Sequence, residues 1–289
     1  MSSGRPVAFV EGTLGAGGAE RALTLIASGL AAAGLPVHLV LLDAPDRPIF
    51  YPLAADVGVT RLDLMRDPKG PADALAANLR RIRRVRHTLA RIDARVVISF
   101  LPEPSVIAAA AAFPRRRLIL SERSSTVDVV LQPPWRQLRR LALARADAIV
   151  YQTERARAAV APTLQRKGVV IPNPLNRRIE AAADVAASRN FVAVGRFVPE
   201  KGFDRLIQAF AMIAAGLPGW TLTIWGDGPE RPALAALVAR LDLAGRVAMP
   251  GISPTALGWI GDGSIFVLSS RFEGFPNALC EAMLAGYAV

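Results

Sequence analysis

The 289 residues are 52% hydrophobic and 20% charged, which excludes a disordered chain and gives enough length for two domains. The formal net charge of +11 is nearly all arginine, since Lys69, Lys167 and Lys201 are the only lysines, and such a surface favours anionic ligands. The single cysteine, Cys280, excludes an internal disulfide and fits a reducing, cytoplasmic setting.

The opening carries no signal-peptide pattern, because Glu11 and a glycine-rich stretch follow soon after Pro6. Residues 7–10 are expected to form a buried strand and residues 19–33 a helix. The run 23–42 has almost no charge, but Gly34 and Pro36 divide it, so a helix followed by a buried strand at 37–42 outweighs a membrane span. Further strands are expected at 95–100, 118–121 and 148–151, with helices between them. Continuous apolar strands alternating with helices mark a parallel sheet covered on both faces. Ile171-Pro172-Asn173-Pro174 breaks this rhythm and suits a linker. The alternation restarts with strands expected at 191–194, 221–225, 247–249 and 265–268. The reading is two Rossmann-like, doubly wound parallel-sheet domains, 1–173 and 174–289. Tyr287-Ala288-Val289 has the character of a further strand just beginning, so the second domain is expected to be truncated and the chain a poor enzyme by itself.

Four stretches at strand ends could carry chemistry. Gly12-Thr13-Leu14-Gly15-Ala16-Gly17-Gly18 lets backbone amides approach a phosphate at a helix start. A nicotinamide-binding pattern fails there, because Glu20 occupies the last glycine position counted from Gly15, although Asp43 stands where a ribose-binding acid would. Gly195 to Gly202 contains Arg196 and Lys201, a rigid fork and a mobile point charge suited to a diphosphate. Gly226 and Gly228 shape a turn before Pro229, which alone is a structural feature. The fourth stretch, Glu273-Gly274-Phe275-Pro276-Asn277-Ala278-Leu279-Cys280-Glu281, carries two carboxylates with seven residues between them, with Asn277 set to open a helix.

This ordered set resembles the retaining glycosyltransferases of family four, the "group 1" transferases of the GT-B fold. The stretches Gly15 to Arg21, Ser121-Glu122-Arg123, Gln152-Thr153-Glu154 and 171–174 are also similar to bacterial members that extend lipid-linked oligosaccharides, including N-acetylgalactosamine transferases. The resemblance implies that Arg196 and Lys201 bind the donor diphosphate and that Glu281 binds the ribose. It implies that Glu273 lies near the donor sugar with the amides of Gly274, Phe275, Pro276–Asn277, Ala278 and Leu279, and that Gly195 and Gly226 shape the donor loops. Gly15, Gly17, Gly18, Glu122 and Arg123 would serve the acceptor side or the diphosphate. Family members commonly have a histidine where this chain has Glu122-Arg123; His38 and His87 fall elsewhere and are expected to be structural or surface residues.

Implied partners are a nucleoside-diphosphate sugar, a lipid-linked or saccharide acceptor and an anionic membrane surface. No cofactor is expected, and no Asp-x-Asp metal motif is evident. Leu79, Ile82, Val85, Leu89 and Ile92 recur at helical spacing among Arg80, Arg81, Arg83, Arg84 and Arg86, either as a solvated helix or as a basic face docking on the inner membrane surface. Trp135, Arg136, Arg139 and Arg140 would add to that face. Nucleic acid fits poorly, because no binding module underlies the charge. The rival readings are a sugar-nucleotide epimerase of the same fold, an NAD-dependent oxidoreductase and a non-catalytic fragment.

Overall fold

The computed structural model describes residues 4–123, 134–175, 188–255, 257–261 and 263–289. The chain divides into two units, Met1–Pro174 and Leu175–Val289. In the first, β1 (Val7–Glu11), α1 (Gly18–Ala32), β2 (Val37–Leu41) and β3 (Gly58–Arg61) are followed by α2 (Pro71–Arg91), β4 (Val96–Ser99) and α3 (Pro102–Ala112). Then come β5 (Arg117–Glu122), α4 (Trp135–Arg145), β6 (Ala148–Tyr151), α5 (Glu154–Ala158), α6 (Pro162–Gln165) and β7 (Gly168–Val170). The second unit runs β8 (Asn190–Val194), a 3-10 turn (Pro199–Lys201), α7 (Phe203–Ala214), β9 (Thr221–Trp225) and α8 (Arg231–Arg240). It continues with β10 (Val247–Gly251), β11 (Ile265–Phe266) and α9 (Asn277–Leu284).

The first sheet has the order β3-β2-β1-β4-β5-β6-β7 and the second β10-β9-β8-β11, with parallel pairing throughout. Both orders reverse direction beside the unit's first strand, between β1 and β4 and between β8 and β11. Loops leaving the carboxyl ends there part to either side and leave a crevice for ligands. The alternation along each strand buries both sheet faces. In β1, Ala8 and Val10 join a core with Val85 and Leu89 of α2, while Phe9 joins another with Leu23 and Ala27 of α1. In the second unit Ala193, Leu222 and Ile224 pack under α7 and α8, while Val192 and Phe266 meet Trp259, Ala282 and Tyr287.

Several boundaries differ from those expected. The edge strands β3 and β7 have no apolar run to announce them, being GVTR and GVV. The strand expected over 265–268 is only two residues long, and Ala288 bridges to its Ile265 in parallel. The 171–174 segment is more than a linker: Ile171 N–H donates to Tyr151 O at 2.8 Å, and Asn173 is buried. The charge-poor run 23–42 is α1 followed by β2, the helix and buried strand expected there. Of the expected apolar stripe on α2, Val85 and Leu89 enter the core and Ile82 and Ile92 pack against it, but Leu79 stays 43% exposed.

That difference gives a direct test. Leu89→Ala should cost about 2–5 kcal/mol of stability through the cavity it leaves, whereas Leu79→Ala should stay within about 0.5 kcal/mol. Urea unfolding of both variants checks the assignment, and equal losses would contradict it.

Candidate donor and acceptor sites

In the second unit the sequence-predicted residues gather at the carboxyl ends of β8, β9 and β11. Gly195 follows β8 and its N–H donates to Trp225 O at 3.0 Å, tying the first loop to the end of β9. Gly226 has φ +138°, and a Cβ there would stand 1.8 Å from Gly195 O, so only glycine lets the two loops touch. The 3-10 turn ends at Gly202, which has φ +64°; a Cβ there would lie 2.3 Å from Ser269 O. The chain after β11 therefore crosses directly over the start of α7.

That crossing brings together residues distant in sequence. Lys201 Nζ donates to Glu273 Oε1 at 2.6 Å, and Ser270 Oγ donates to the same oxygen at 2.6 Å. Ser269 Oγ donates to Lys201 O at 2.8 Å, and Arg271 N–H donates to Glu200 O at 2.8 Å. Arg271 also pairs with Asp204 at 2.7 Å, and that hydrogen bond holds the Asp204 carboxyl below its ordinary range. Arg196 differs: it is exposed, and no described residue holds its side chain. Gly274 to Pro276 lead into α9, which begins at Asn277; Ala278 and Leu279 form its first turn. Pro276, not Asn277, is the N-cap residue, and no side chain caps this helix, in contrast to the cap role that suits asparagine. Glu281, one turn further on, is buried. Cys280 is half-buried, and burial pushes its thiol up, which disfavours a nucleophilic thiolate.

In the first unit Gly15 and Gly17 lie between β1 and α1, with Gly17 as the N-cap of α1, Gly18 as its first residue and Glu20 in its first turn. Glu122, at the end of β5, is buried and ion-paired with Arg139 of α4. Arg139 therefore belongs with Glu122 and not with a free basic face. Arg123 packs over the Phe100 ring at 4.0 Å and donates to Asn173 Oδ1. The amide of Gln152 meets Asn173 as well. Three separate stretches, at Arg123, Gln152 and Asn173, thus form one buried polar cluster, and burial pulls the Arg123 guanidinium down to about 10. Asp43 is ion-paired with Arg61 at 2.7 Å, so its carboxylate already has a protein partner where a nicotinamide ribose would need it. His38 is hydrogen-bonded to Thr60 at 2.8 Å within the sheet, and His87 is exposed.

One residue escaped the sequence reading. Glu11, the last residue of β1, is buried, and its Oε1 accepts hydrogen bonds from Phe100 N–H and from Ser99 Oγ. Its Oε2 has no hydrogen-bond partner among the described residues. Burial, opposed by the Phe100 N–H and reinforced by Glu20, pushes this carboxyl up to about 8. The signal was a lone acid ending an apolar strand at the sheet's ligand edge.

The two units have the architecture and loop placement of the nucleotide-sugar-handling GT-B fold. A "glycosyl transferase 4-like domain" matches residues 17–174 and a "glycosyl transferases group 1" domain matches residues 188–289. The chain belongs to this glycosyltransferase family. It is 27% identical over 282 residues to the GalNAc-alpha-(1->4)-GalNAc-alpha-(1->3)-diNAcBac-PP-undecaprenol alpha-1,4-N-acetyl-D-galactosaminyltransferase of Campylobacter jejuni, covering 96% of this chain and 76% of that protein. Other curated relatives match over shorter stretches, and the chain spans about half of their length or less. Among solved structures, sucrose-phosphate synthase of Thermosynechococcus elongatus superposes with TM-score 0.80 at 19% identity, covering 98% of this chain and 80% of that one. Anabaena HepE in complex with UDP gives TM-score 0.68 at 17% identity, covering 98% and 79%.

The Glu11 carboxyl has a measurable consequence. The unfolded chain releases this proton near 4.5, while the folded chain keeps it to about 8. The folded state thus binds more protons between those values, and the stability Glu11 contributes falls as pH rises from about 5 to about 8. Glu11→Gln keeps a neutral side chain and removes that slope. The variant's unfolding free energy, taken relative to wild type, should rise by a few kcal/mol between pH 5 and pH 9. Parallel stability profiles in denaturant titrations would contradict a protonated Glu11.

Proposed function

We propose that this chain moves a hexose or N-acetylhexosamine from a nucleoside-diphosphate donor, UDP-linked, to an acceptor hydroxyl with retention of configuration. The observation that carries the reading is the Lys201–Glu273 pair at 2.6 Å, which joins the loop after β8 to the loop after β11 at the ligand edge of the sheet. An ammonium has three donors, so Lys201 can hold Glu273 and still meet a phosphate. Arg196, exposed and free of described partners, supplies the second cation. Together with the first-turn amides of α9, these charges would stabilise the departing diphosphate, the main term such a transfer needs from the protein. Glu273 would accept a donor-sugar hydroxyl through Oε2, and Glu281 would accept from the ribose. No cofactor is required by this scheme, the nucleotide sugar being the substrate.

In the first unit, Gly15, Gly17 and Gly18 would offer amides near the reacting groups. Glu122 and Arg123, both held by partners, would frame the acceptor side. The Campylobacter relative's lipid-linked acceptor supports a role in lipid-linked oligosaccharide or cell-surface polysaccharide synthesis, and the UDP of the HepE complex supports the donor class. Among the described residues no helix is long and apolar enough to cross a membrane. Peripheral attachment to the inner face of the cell membrane would use α2, where Leu75 and Leu79 are exposed beside Arg80, Arg83 and Arg84.

Arg196→Ala and Lys201→Ala should each lower kcat/KM by about 10²–10³, the scale seen when one transition-state donor is removed. Steady-state assays with a UDP-sugar check this, and unchanged turnover in both folded variants would refute the diphosphate assignment. Glu281→Gln should weaken UDP binding about tenfold or more, the scale of a lost hydrogen bond to a charged group. Calorimetric titration with UDP reads this, and equal affinity in wild type and variant counts against a ribose role.

A further inference from the structure

A second concentration of charge lies at the opposite edge of the first sheet. Arg95 precedes β4, Arg117 opens β5, Arg115 and Arg116 precede it, and Arg145 ends α4. These five arginines line a solvent-open recess of about 600 Å³ in which Asp147 is the one carboxylate. The recess is at the amino ends of the strands, whereas the loops described above leave the carboxyl ends. Strands of four to six residues separate the two edges by roughly 13–20 Å.

Asp147 is already engaged: its Oδ2 accepts from Leu118 N–H at 2.7 Å and lies 3.9 Å from Arg145 Nη1. Two of the guanidinium groups are fixed in advance. Arg116 Nε donates to Ala94 O at 3.0 Å, and Arg145 stacks on the Phe113 ring at 5.2 Å. Arg95, Arg115 and Arg117 are exposed, and no described residue pairs with their side chains. Burial, together with the charges of Arg115 and Arg86 and opposed by Asp93, pulls the Arg116 guanidinium below its ordinary range. Five cations crowded around one occupied carboxylate repel one another, and an anion entering the recess relieves that repulsion.

We propose that this recess is a second anion site, taking a compact ligand that carries two or more phosphate groups. Planar guanidinium forks match phosphate oxygens in pairs, which a scattered basic surface does not. The volume falls within the range of about 300–1,000 Å³ that holds a small molecule or a lipid headgroup. Two fixed and three adaptable arginines give a partly preorganised cradle, which lowers the ordering cost of binding. The ligand is either free in solution or the headgroup of a lipid, the phosphate chemistry being common to both.

The test uses the whole chain and two probes: inorganic tripolyphosphate, followed by calorimetry, and vesicles of cardiolipin, whose headgroup carries two phosphates, in phosphatidylcholine, followed by co-sedimentation. Arg95→Gln/Arg117→Gln removes two exposed guanidinium groups that make no described internal side-chain bond. Arg155→Gln/Arg240→Gln removes the same charge from exposed positions elsewhere. The Arg95/Arg117 pair should weaken at least one probe about tenfold, with the Arg155/Arg240 pair near wild type. Selective loss on tripolyphosphate identifies a soluble ligand, and selective loss on vesicles alone identifies a headgroup. Any anion bound by the loop at Arg196 and Lys201 contributes equally to both variants. Equal weakening in the two variants would show diffuse charge and overturn the site, as would no weakening of either probe by Arg95→Gln/Arg117→Gln.

Discussion

Parallel pairing around a reversal of strand order is the constraint on which the rest depends. Both sheets are ordered outward from their first strand, so the loops after the paired strands β1 and β4 diverge at one switch point and those after β8 and β11 at another. Because every pairing is parallel, each strand delivers its following loop to the same edge. In the second sheet the cationic loop after β8, the Gly226 turn after β9 and the Glu273 loop after β11 therefore share one edge without any sequence proximity. Lys201 and Glu273 meet across 72 positions because β8 and β11 are neighbours. The close crossing at Gly202 and Ser269 then fixes their relative height.

Much of this was legible in the residues. A strand such as Val7–Glu11 carries a continuous apolar run, Val-Ala-Phe-Val, because both of its faces are covered, and such runs are hard to mistake when helices alternate with them. Edge strands are different. Gly58–Arg61 and Gly168–Val170 need only pair along one side, so their sequences carry little apolar signal. The motif loops were visible for a related reason, since the glycines and charges that let chains cross at a strand end stand out against buried strands.

Tertiary chemistry was less visible. Arg123, Gln152 and Asn173 lie on three stretches that resembled family motifs separately, yet their convergence depends on the order β5-β6-β7, which no local pattern encodes. Glu11 ends a strand that is otherwise wholly apolar, and only the hydrogen bonds from Ser99, which ends the neighbouring strand β4, and from Phe100 after it explain how a carboxyl is tolerated there. Helix α2 shows the limit of periodicity from the other side. Its spacing placed Leu79 with Val85 and Leu89, but Ala77 takes the buried position on that turn, and Leu75 and Leu79 remain exposed.

At the carboxyl ends of their strands the two units handle charge differently. In the first, Glu122, Arg123 and Asp43 are committed to internal partners, so the polar groups there fix structure. In the second, Arg196 stands exposed and Lys201 is only half-buried beside Glu273, leaving cationic capacity for a ligand. The most direct measurement is a crystal structure of the protein with UDP bound. The account predicts the diphosphate against Arg196 and Lys201, with the ribose hydroxyls on Glu281. A nucleotide seated instead on the Gly15 to Gly18 loop, with its ribose toward Asp43, would contradict it.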